Sequence, residues 1–243
     1  MTRRKTRLIV ALDVATLEQA ESVVRELSPL ADYFKIGSQL FTAGGPPVVE
    51  MVRRYQADVF LDLKFHDIPN TVAQAALSAL RLGVSMLNVH AAGGALMLRE
   101  VAGAVAAASA GASHRPLVLG VTVLTSMDRP QLNSLGIMRS VKNQVLALAR
   151  LCRACGLDGV VCSGQEIEVL RRVVGEEFVL VVPGVRPAEG NADDQKRIVT
   201  PAAAARRGAD YIVVGRPILA AADRQKAAQA ILAELSKDLR CTQ

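Results

Sequence analysis

Eight short apolar segments of β-strand type alternate with helical patterns along the chain, and this alternation constrains the fold more than any other feature. The strand-like segments are Arg7–Leu12, Tyr33–Ile36, Val59–Leu63, Met86–Val89, Leu117–Val123, Gly159–Cys162, Val179–Val182 and Tyr211–Val214. Helical patterns lie between them, as at Leu17–Leu27, Val48–Tyr55, Val72–Leu82, Ala95–Ala108 and Ala202–Arg207. Eight such units in about 250 residues match a TIM (β/α)8 barrel better than an open doubly wound sheet. The sequence therefore predicts an α/β TIM barrel forming a single domain over residues 1–243.

The composition agrees with this fold and bears on location. Hydrophobic residues make up 51% of the 243 residues while aromatics make up 3% and Trp is absent, so the core must be aliphatic, as in parallel sheets covered by helices. No apolar run is expected to reach the roughly 18 residues that span a bilayer. The basic start MTRRKTR leads directly into a strand rather than into a signal sequence. We therefore expect a cytoplasmic protein without a membrane partner.

The basic balance of the chain indicates an anionic partner. The formal net charge is +6 and the pI is near 9.4, which suits either nucleic acid or a phosphorylated metabolite. Apart from the N-terminal run, the Lys and Arg residues are scattered and are not interleaved with aromatic residues. This pattern favours a small phosphorylated molecule over nucleic acid.

The cysteines and histidines do not form a metal-binding pattern. Cys152 and Cys155 form a CxxC within the helical stretch 141–156, but no second CxxC or HxxxH accompanies it, so we interpret them as buried small hydrophobic residues. Of the three histidines, His66, His90 and His114, His90 alone follows a strand, and we expect it to support neighbouring groups structurally. The sequence predicts no metal site.

Three charges of alternating sign end the third apolar segment and follow it, where folding alone would favour none. Side chains two apart on a strand share a face, so Asp62 and Lys64 should project together while Leu63 points away, with Asp67 in the loop beyond. Carboxylates near a lysine favour its ammonium form, which makes it a positioned acid. The alternative is a surface ion-pair network, which contributes little to stability.

Polar residues follow most of the predicted strands at one end, which is where active sites of TIM barrels gather. These residues are Asp13, Lys35, Asp62, Lys64, Asn88, His90, Thr125, Ser126, Arg186, Gly215 and Arg216. Asp13 and Lys35 suit a ribose-binding carboxylate with its cationic partner, or a salt bridge at the barrel mouth. Thr125 and Ser126 could contact the edge of a polar ring or cap a helix starting near Asp128.

The last two strands predict a phosphate site. Arg186 follows strand seven, and Gly215 and Arg216 stand where strand eight meets a helix N-terminus, which is the usual phosphate position in this fold. The long polar segment Pro187–Thr200 could be a lid over the phosphate or a disordered insertion.

Together these motifs resemble the orotidine monophosphate decarboxylase family, which makes UMP in pyrimidine synthesis. The matching segments are ALD (11–13), FKIG (34–37), DLKFHDIPNT (62–71), NVHA (88–91), VLTS (123–126), PGVRP (183–187), DQKRIVTP (194–201) and VVGRPI (213–218). The match spans nearly the whole chain, although the DxKxxD element alone is shared with a wider superfamily of phosphosugar decarboxylases and aldolases.

The resemblance implies a set of site residues and a homodimer. Lys35, Asp62, Lys64 and Asp67 correspond to the family's catalytic tetrad, with Asp67 reaching the site of the neighbouring subunit. The substrate, orotidine monophosphate, would be bound by Asp13, Lys35, Ile68, Thr71, Thr125, Ser126, Arg186, Gln195, Gly215 and Arg216. Ile68 and Thr71 would complete the partner's site, and Gln195 would bridge from the phosphate toward the base. The implied reaction uses no cofactor.

Three other functions compete with this interpretation. A metal-dependent phosphosugar decarboxylase or synthase shares the DxKxxD strand but is expected to carry a carboxylate, not Lys35, at the end of strand two, because a lysine there would repel the metal. A noncatalytic nucleotide-phosphate binding protein would not need the alternating charges. Binding of nucleic acid through the basic excess would show a steep salt dependence.

Overall fold

The structure, a computed structural model, describes residues 5–112, 114–187 and 199–237. Eight parallel strands close into a barrel in chain order, and β1 pairs with both β2 and β8. The strands are β1 (Arg7–Ala11), β2 (Tyr33–Gly37), β3 (Asp58–Phe65), β4 (Met86–His90), β5 (Leu117–Val121), β6 (Gly159–Val161), β7 (Val179–Val182) and β8 (Tyr211–Val214). The predicted TIM barrel is confirmed, with strand ends that differ from the predicted ones by at most two residues.

Helices cover the outside of the barrel between the strands. They are α1 (Leu17–Leu27), α2 (Ser38–Gly44), α3 (Pro47–Arg54), α4 (Pro69–Arg81), α5 (Gly94–Ala108), α6 (Arg129–Ser134), α7 (Val141–Ala154), α8 (Ile167–Val174), α9 (Pro201–Arg207), α10 (Arg216–Leu219) and α11 (Arg224–Lys237). Several begin at side-chain caps, since Thr16, Ser140 and Thr200 each accept a hydrogen bond from the N–H three residues later. Asp128 caps α6 through a capping box with Gln131, so Thr125 and Ser126 do not cap that helix.

Alternation along the strands divides the core into two layers. On β1, Leu8 and Val10 face the helices, while Ile9 and Ala11 face the barrel interior. The interior layer is completed by buried side chains of other strands: Tyr33, Phe60, Met86, Leu119, Val179, Val181 and Val213. These side chains fill the interior, so the space above them opens at the C-terminal ends of the strands.

The stretch Ala91–Ala108 corrects one expectation from the sequence. Among the described residues, this helical stretch is long and apolar enough to cross a membrane by length and composition alone. In the structure its second part, α5, buries Met97, Leu98 and Val101 against the barrel. Such a finding is weak support for a membrane span, because a core helix of a barrel has the same composition.

Strand β3 is irregular at its C-terminal end. Leu61 pairs with Leu87 and Phe65 pairs with Val89, so four steps along β3 face two steps along β4. Within this bulge Lys64 has a φ of 51°, a left-handed conformation that is uncommon for a residue with a side chain. The simple alternation predicted for Asp62 and Lys64 is therefore replaced by a bulge that redirects the lysine.

Candidate active site

A cavity of about 260 Å³ opens at the C-terminal end of the barrel. Its floor consists of apolar side chains, including Ala11, Phe60, Val121, Val161 and Val213. Its polar lining consists of Asp13, Lys35, Asp62, Lys64, Thr125, Arg186 and Arg216. Two carboxylates and four cations therefore surround an apolar floor, which suits an anionic ligand with a flat or apolar part.

Four of these side chains form one chain of alternating charge. The Lys35 ammonium lies 3.0 Å from Asp13 Oδ1 and 3.4 Å from Asp62 Oδ2. The other oxygen of Asp62 accepts a hydrogen bond from Lys64 Nζ at 2.7 Å. Lys35 and Asp62 are nearly buried, with side-chain exposures of 11% and 13%, whereas Lys64 is 35% exposed toward the opening.

The bulge in β3 is bound on one side by Asn88 of β4. The Asn88 Oδ1 atom accepts a hydrogen bond from the backbone N–H of Lys64 at 2.8 Å, and Asn88 Nδ2 donates to Asp62 Oδ1 at 2.6 Å. Asn88 is only 1% exposed, so its amide is a fixed part of the strand pair. One buried amide thus contacts both charged residues of the bulge.

The cavity wall that follows β7 and β8 carries two arginines. Arg186, which is 7% exposed, follows β7, and Arg216 begins α10 directly after the N-cap residue Gly215. A Cβ atom at Gly215 would lie 3.1 Å from Asp13 Oδ2 and 3.4 Å from Ala11 Cβ, so glycine gives this turn its close approach to the first strand. The turn therefore brings Arg216 close to Asp13, the first of the alternating charges. We call the wall with Arg186 and Arg216 the arginine wall.

The two ends of the predicted lid are paired with each other next to Arg186. Val185 and Val199 form a parallel β-bridge, and the Arg186 N–H donates to the Val199 carbonyl at 3.0 Å. Residues 188–198, which include Gln195 and most of the predicted lid, lie outside the described residues. The predictions for Gln195 and for a lid stay predictions.

The comparisons with known proteins agree with this geometry. Residues 6–231 match the model of the "Orotidine 5'-phosphate decarboxylase / HUMPS family". The chain belongs to this family. The predicted family, and with it the prediction of an enzyme of the carboxy-lyase class, is confirmed.

Similar proteins cover almost the whole chain. It is 54% identical to orotidine 5'-phosphate decarboxylase of Moorella thermoacetica over 233 residues, covering 95% of this chain and 92% of the relative. It is 49% identical to the enzyme of that name from Nitrosococcus oceani over 234 residues, covering 96% and 98% of the two chains. The crystal structure of orotidine 5'-phosphate decarboxylase from Lactobacillus acidophilus superimposes with a TM-score of 0.84 at 37% identity, covering 95% of this chain and 99% of that one.

Most of the residues predicted from the decarboxylase family motifs meet in the cavity. The residues that line it are Asp13, Lys35, Asp62, Lys64, Thr125, Arg186, Gly215 and Arg216. The neighbouring Ser126 is exposed and lies outside the lining.

Three other predicted residues of the family motif are not part of this cavity. Asp67, Ile68 and Thr71 are exposed and lie outside its lining, and Ile68 is 67% exposed. The Asp67 carboxylate accepts a hydrogen bond from the N–H of Ile68 at 2.6 Å. In the described part of this chain Lys64 pairs with Asp62 and not with Asp67.

His90 lies beside a second histidine, and the described cysteines are buried. The ring of His90 lies 5.3 Å from that of His66, outside the cavity lining. Burial, followed by the proximity of His66 and Lys64, lowers the pKa of His90, although Asp62 acts in the opposite direction. Cys152 and Cys155 are buried free thiols, and burial raises the pKa of Cys152 to about 12. Cys162 is buried at the cavity lining. Cys241 lies outside the described residues.

Asn88 is the residue whose role the sequence did not reveal. Its position at a strand end was visible, but an asparagine inside an apolar strand of this decarboxylase-family chain did not indicate which groups it contacts. The presence of one amide side chain in an otherwise apolar strand could have indicated its role, because a buried amide needs hydrogen-bond partners.

Proposed function

We propose that this protein decarboxylates orotidine 5'-monophosphate to UMP and carbon dioxide, without a metal or cofactor, in pyrimidine biosynthesis in the cytoplasm. The observation that carries the proposal is the chain of alternating charges from Asp13 through Lys35 and Asp62 to Lys64. The names of relatives that are about half identical over nearly the whole chain support the same substrate.

Lys64 is the proposed acid of the reaction. Loss of carbon dioxide breaks the bond between the carboxylate and ring carbon C6, and the electron pair stays on C6, which has no good electron sink. An ammonium already in place stabilises this charge and then transfers its proton to C6, giving UMP. Lys64 then regains a proton from solvent. The exposure of Lys64 toward the cavity and its 2.7 Å contact with Asp62 suit this role.

Asp62 and Lys35 are proposed to orient the acid and to hold its charge in place. Asp62 accepts from Lys64 through one oxygen and contacts Lys35 through the other, so neither lysine can move independently of it. The Asp62 carboxylate would also repel the substrate carboxylate, and this repulsion ends when carbon dioxide leaves.

The far end of the cavity is proposed to bind the ribose and phosphate. Asp13, held by Lys35, accepts hydrogen bonds from ribose hydroxyls, while Arg186, Gly215, Arg216 and Gln195 hold the phosphate. Thr125 and Ser126 are proposed to face the pyrimidine edge. Binding energy from the phosphate, remote from C6, then serves to organise the charged groups.

A homodimer with shared active sites is part of the proposal. Asp67, Ile68 and Thr71 extend outward at the start of α4, and their exposure leaves them available to a second subunit. Leu96, at the start of the neighbouring helix α5, is also 75% exposed. Exposed large apolar side chains near a charged loop suit a contact with another copy of the chain.

The metal-dependent phosphosugar reaction is the competing function. The Lys35 ammonium contacts both Asp13 and Asp62, which are the carboxylates that a divalent cation at the end of β2 would need. Among the described residues no group of three or more His, Cys, Asp or Glu side chains is arranged for a metal ion. These features favour the metal-free reaction.

The test is the absorbance of orotidine monophosphate mixed with purified protein in excess EDTA. We expect rapid loss of the orotate band with the wild type, and a rate at least about 10³-fold lower with Lys64→Ala. Lys142→Ala, which removes an exposed lysine of α7, is the matched control and should retain the wild-type rate. A folded wild type that leaves the nucleotide intact but converts a phosphosugar with Mg²⁺ contradicts the proposal.

A further inference from the structure

We propose that Asn88 is a positioning residue that holds the proposed acid Lys64 in its working conformation, an inference that rests on the proposed function. Asn88 is not among the residues that line the cavity, and it forms hydrogen bonds to two that do, Asp62 and Lys64. Its amide makes two directed contacts, one to the backbone of the lysine and one to the carboxylate that pairs with the lysine.

The first contact holds an unfavourable backbone conformation. A left-handed φ of 51° is unfavourable for a residue with a side chain, because Cβ comes too close to the backbone. The bulge removes Lys64 from the regular β3–β4 pairing, and its N–H donates instead to Asn88 Oδ1 at 2.8 Å. A buried N–H without this acceptor would favour a different backbone path.

The second contact fixes the carboxylate. Asp62 Oδ1 accepts from both Asn88 Nδ2 at 2.6 Å and Lys64 Nζ at 2.7 Å. The amide therefore sets where this oxygen lies, and the oxygen sets where the ammonium lies. The same amide also accepts from the Lys64 backbone N–H. One buried side chain on β4 therefore positions both the backbone of Lys64 and, through Asp62, its ammonium group.

Substitution by leucine removes both contacts while keeping a similar side-chain shape. We expect Asn88→Leu to lower kcat for orotidine monophosphate by about 10²-fold, the scale of a 1 Å misplacement of a reacting group. KM and the affinity for UMP should stay within about threefold, because the arginine wall is not changed. The matched control is Ser85→Ala, which removes a partly buried hydrogen bond of 2.5 Å from the residue before β4 to Asp58 of β3, at the opposite end of the barrel. It should lower stability without lowering kcat.

Asn88→Asp tests the positioning role through the pH dependence of kcat, which would not change if Asn88 only stabilised the fold. The introduced carboxylate would lie against Asp62, and the repulsion raises the pKa of the introduced group. Once protonated, it offers an O–H donor and a carbonyl acceptor where the amide offers an N–H donor and a carbonyl. We therefore expect the kcat of Asn88→Asp, relative to the wild type, to rise about tenfold as the pH falls from 8 to 5, while the same ratio for Asn88→Leu stays flat.

The experiment measures kcat and KM of the wild type and the three variants from pH 5 to 8, together with a crystal structure of Asn88→Leu. A kcat of Asn88→Leu within threefold of the wild type, or a flat ratio for Asn88→Asp, overturns the inference. An inactive wild type refutes the proposed substrate instead. The crystal structure then decides on Asn88, because a Lys64 that keeps its left-handed backbone and its contact with Asp62 overturns the positioning role without any substrate.

Discussion

Two ion pairs of equal length lie at opposite ends of the barrel and differ in what surrounds them. At the N-terminal end, Arg171 pairs with Asp210 at 2.7 Å with side-chain exposures of 9% and 12%. At the C-terminal end, Lys64 pairs with Asp62 at the same distance, but the lysine is 35% exposed toward the cavity. The arginine is enclosed by its partners, whereas the lysine keeps N–H donors directed at open space.

The hydrogen-bond partners of Asp210 and Asp62 explain why the two ion pairs differ in their surroundings. Asp210 precedes β8 and also accepts from the Leu180 N–H of β7 at 2.7 Å, so it fixes the pairing of two strands. Asp158, which precedes β6, acts in the same way on the Val118 N–H of β5 at 2.8 Å. Asp62, in contrast, contacts the side chains of Lys35, Lys64 and Asn88. Asp210 and Asp158 thus each hold the backbone of a neighbouring strand, whereas Asp62 arranges other side chains.

The two non-glycine residues with positive φ among the described residues provide the sharpest test of this difference. Gln56, with a φ of 57°, precedes β3, and Lys64 lies near the end of the same strand. Glycine relieves the left-handed strain at either position, so we expect both substitutions to leave stability unchanged or raise it by up to about 1 kcal/mol. Lys64→Gly should lower decarboxylation at least about 10³-fold, and Gln56→Gly should not change it.

Thermal unfolding and the orotidine monophosphate assay on the two glycine variants measure this contrast. Equal activity in both variants would mean that the strained residue at the C-terminal end has no special role. A large loss of stability in Lys64→Gly alone would mean that this end also depends on its ion pair for folding.

Removing the enclosed arginine should produce the opposite pattern. Arg171 donates to Asp210 and to the carbonyls of Gly175, Phe178 and Gly208. Arg171→Met leaves a buried carboxylate and several carbonyls without this donor, and we expect a loss of about 3 kcal/mol in the free energy of unfolding. The kcat of the folded fraction at 25 °C should match the wild type. Urea denaturation with activity measured before the transition checks both statements, and a fall in kcat without a loss of stability would contradict them.

The sequence was most informative where residue type and position alone decide the outcome. Alternating apolar strands and helices predicted the barrel, and the polar residues after the strands predicted most of the cavity lining. The bulge at Lys64 could not be predicted, because it depends on the register between β3 and β4 and on Asn88, which is 24 residues away in the chain. The contacts proposed for Asp67, Ile68 and Thr71 in a second subunit could not be worked out from periodicity, since these exposed residues lie outside the lining of the cavity.

The smallest expected effect concerns the histidines at the two ends. His90 ends β4 near the charged groups, and His114 is exposed just before β5 at the opposite end. Because the folded protein lowers the pKa of His90 below its ordinary value of 6.5, the unfolded chain takes up this proton at a higher pH than the folded protein. The contribution of His90 to stability is therefore fully present above about pH 6.5 and is lost as the pH falls through the folded pKa.

His90→Gln removes this proton uptake, so its melting temperature should fall less than that of the wild type between pH 7 and pH 5. His114→Gln is the control at the other end of the barrel and should follow the wild type. If both variants follow the wild type, proton uptake by His90 does not contribute to acid sensitivity. If His90→Gln alone is less sensitive, the end of the barrel that gathers charges for chemistry is also the end where acid first weakens the fold.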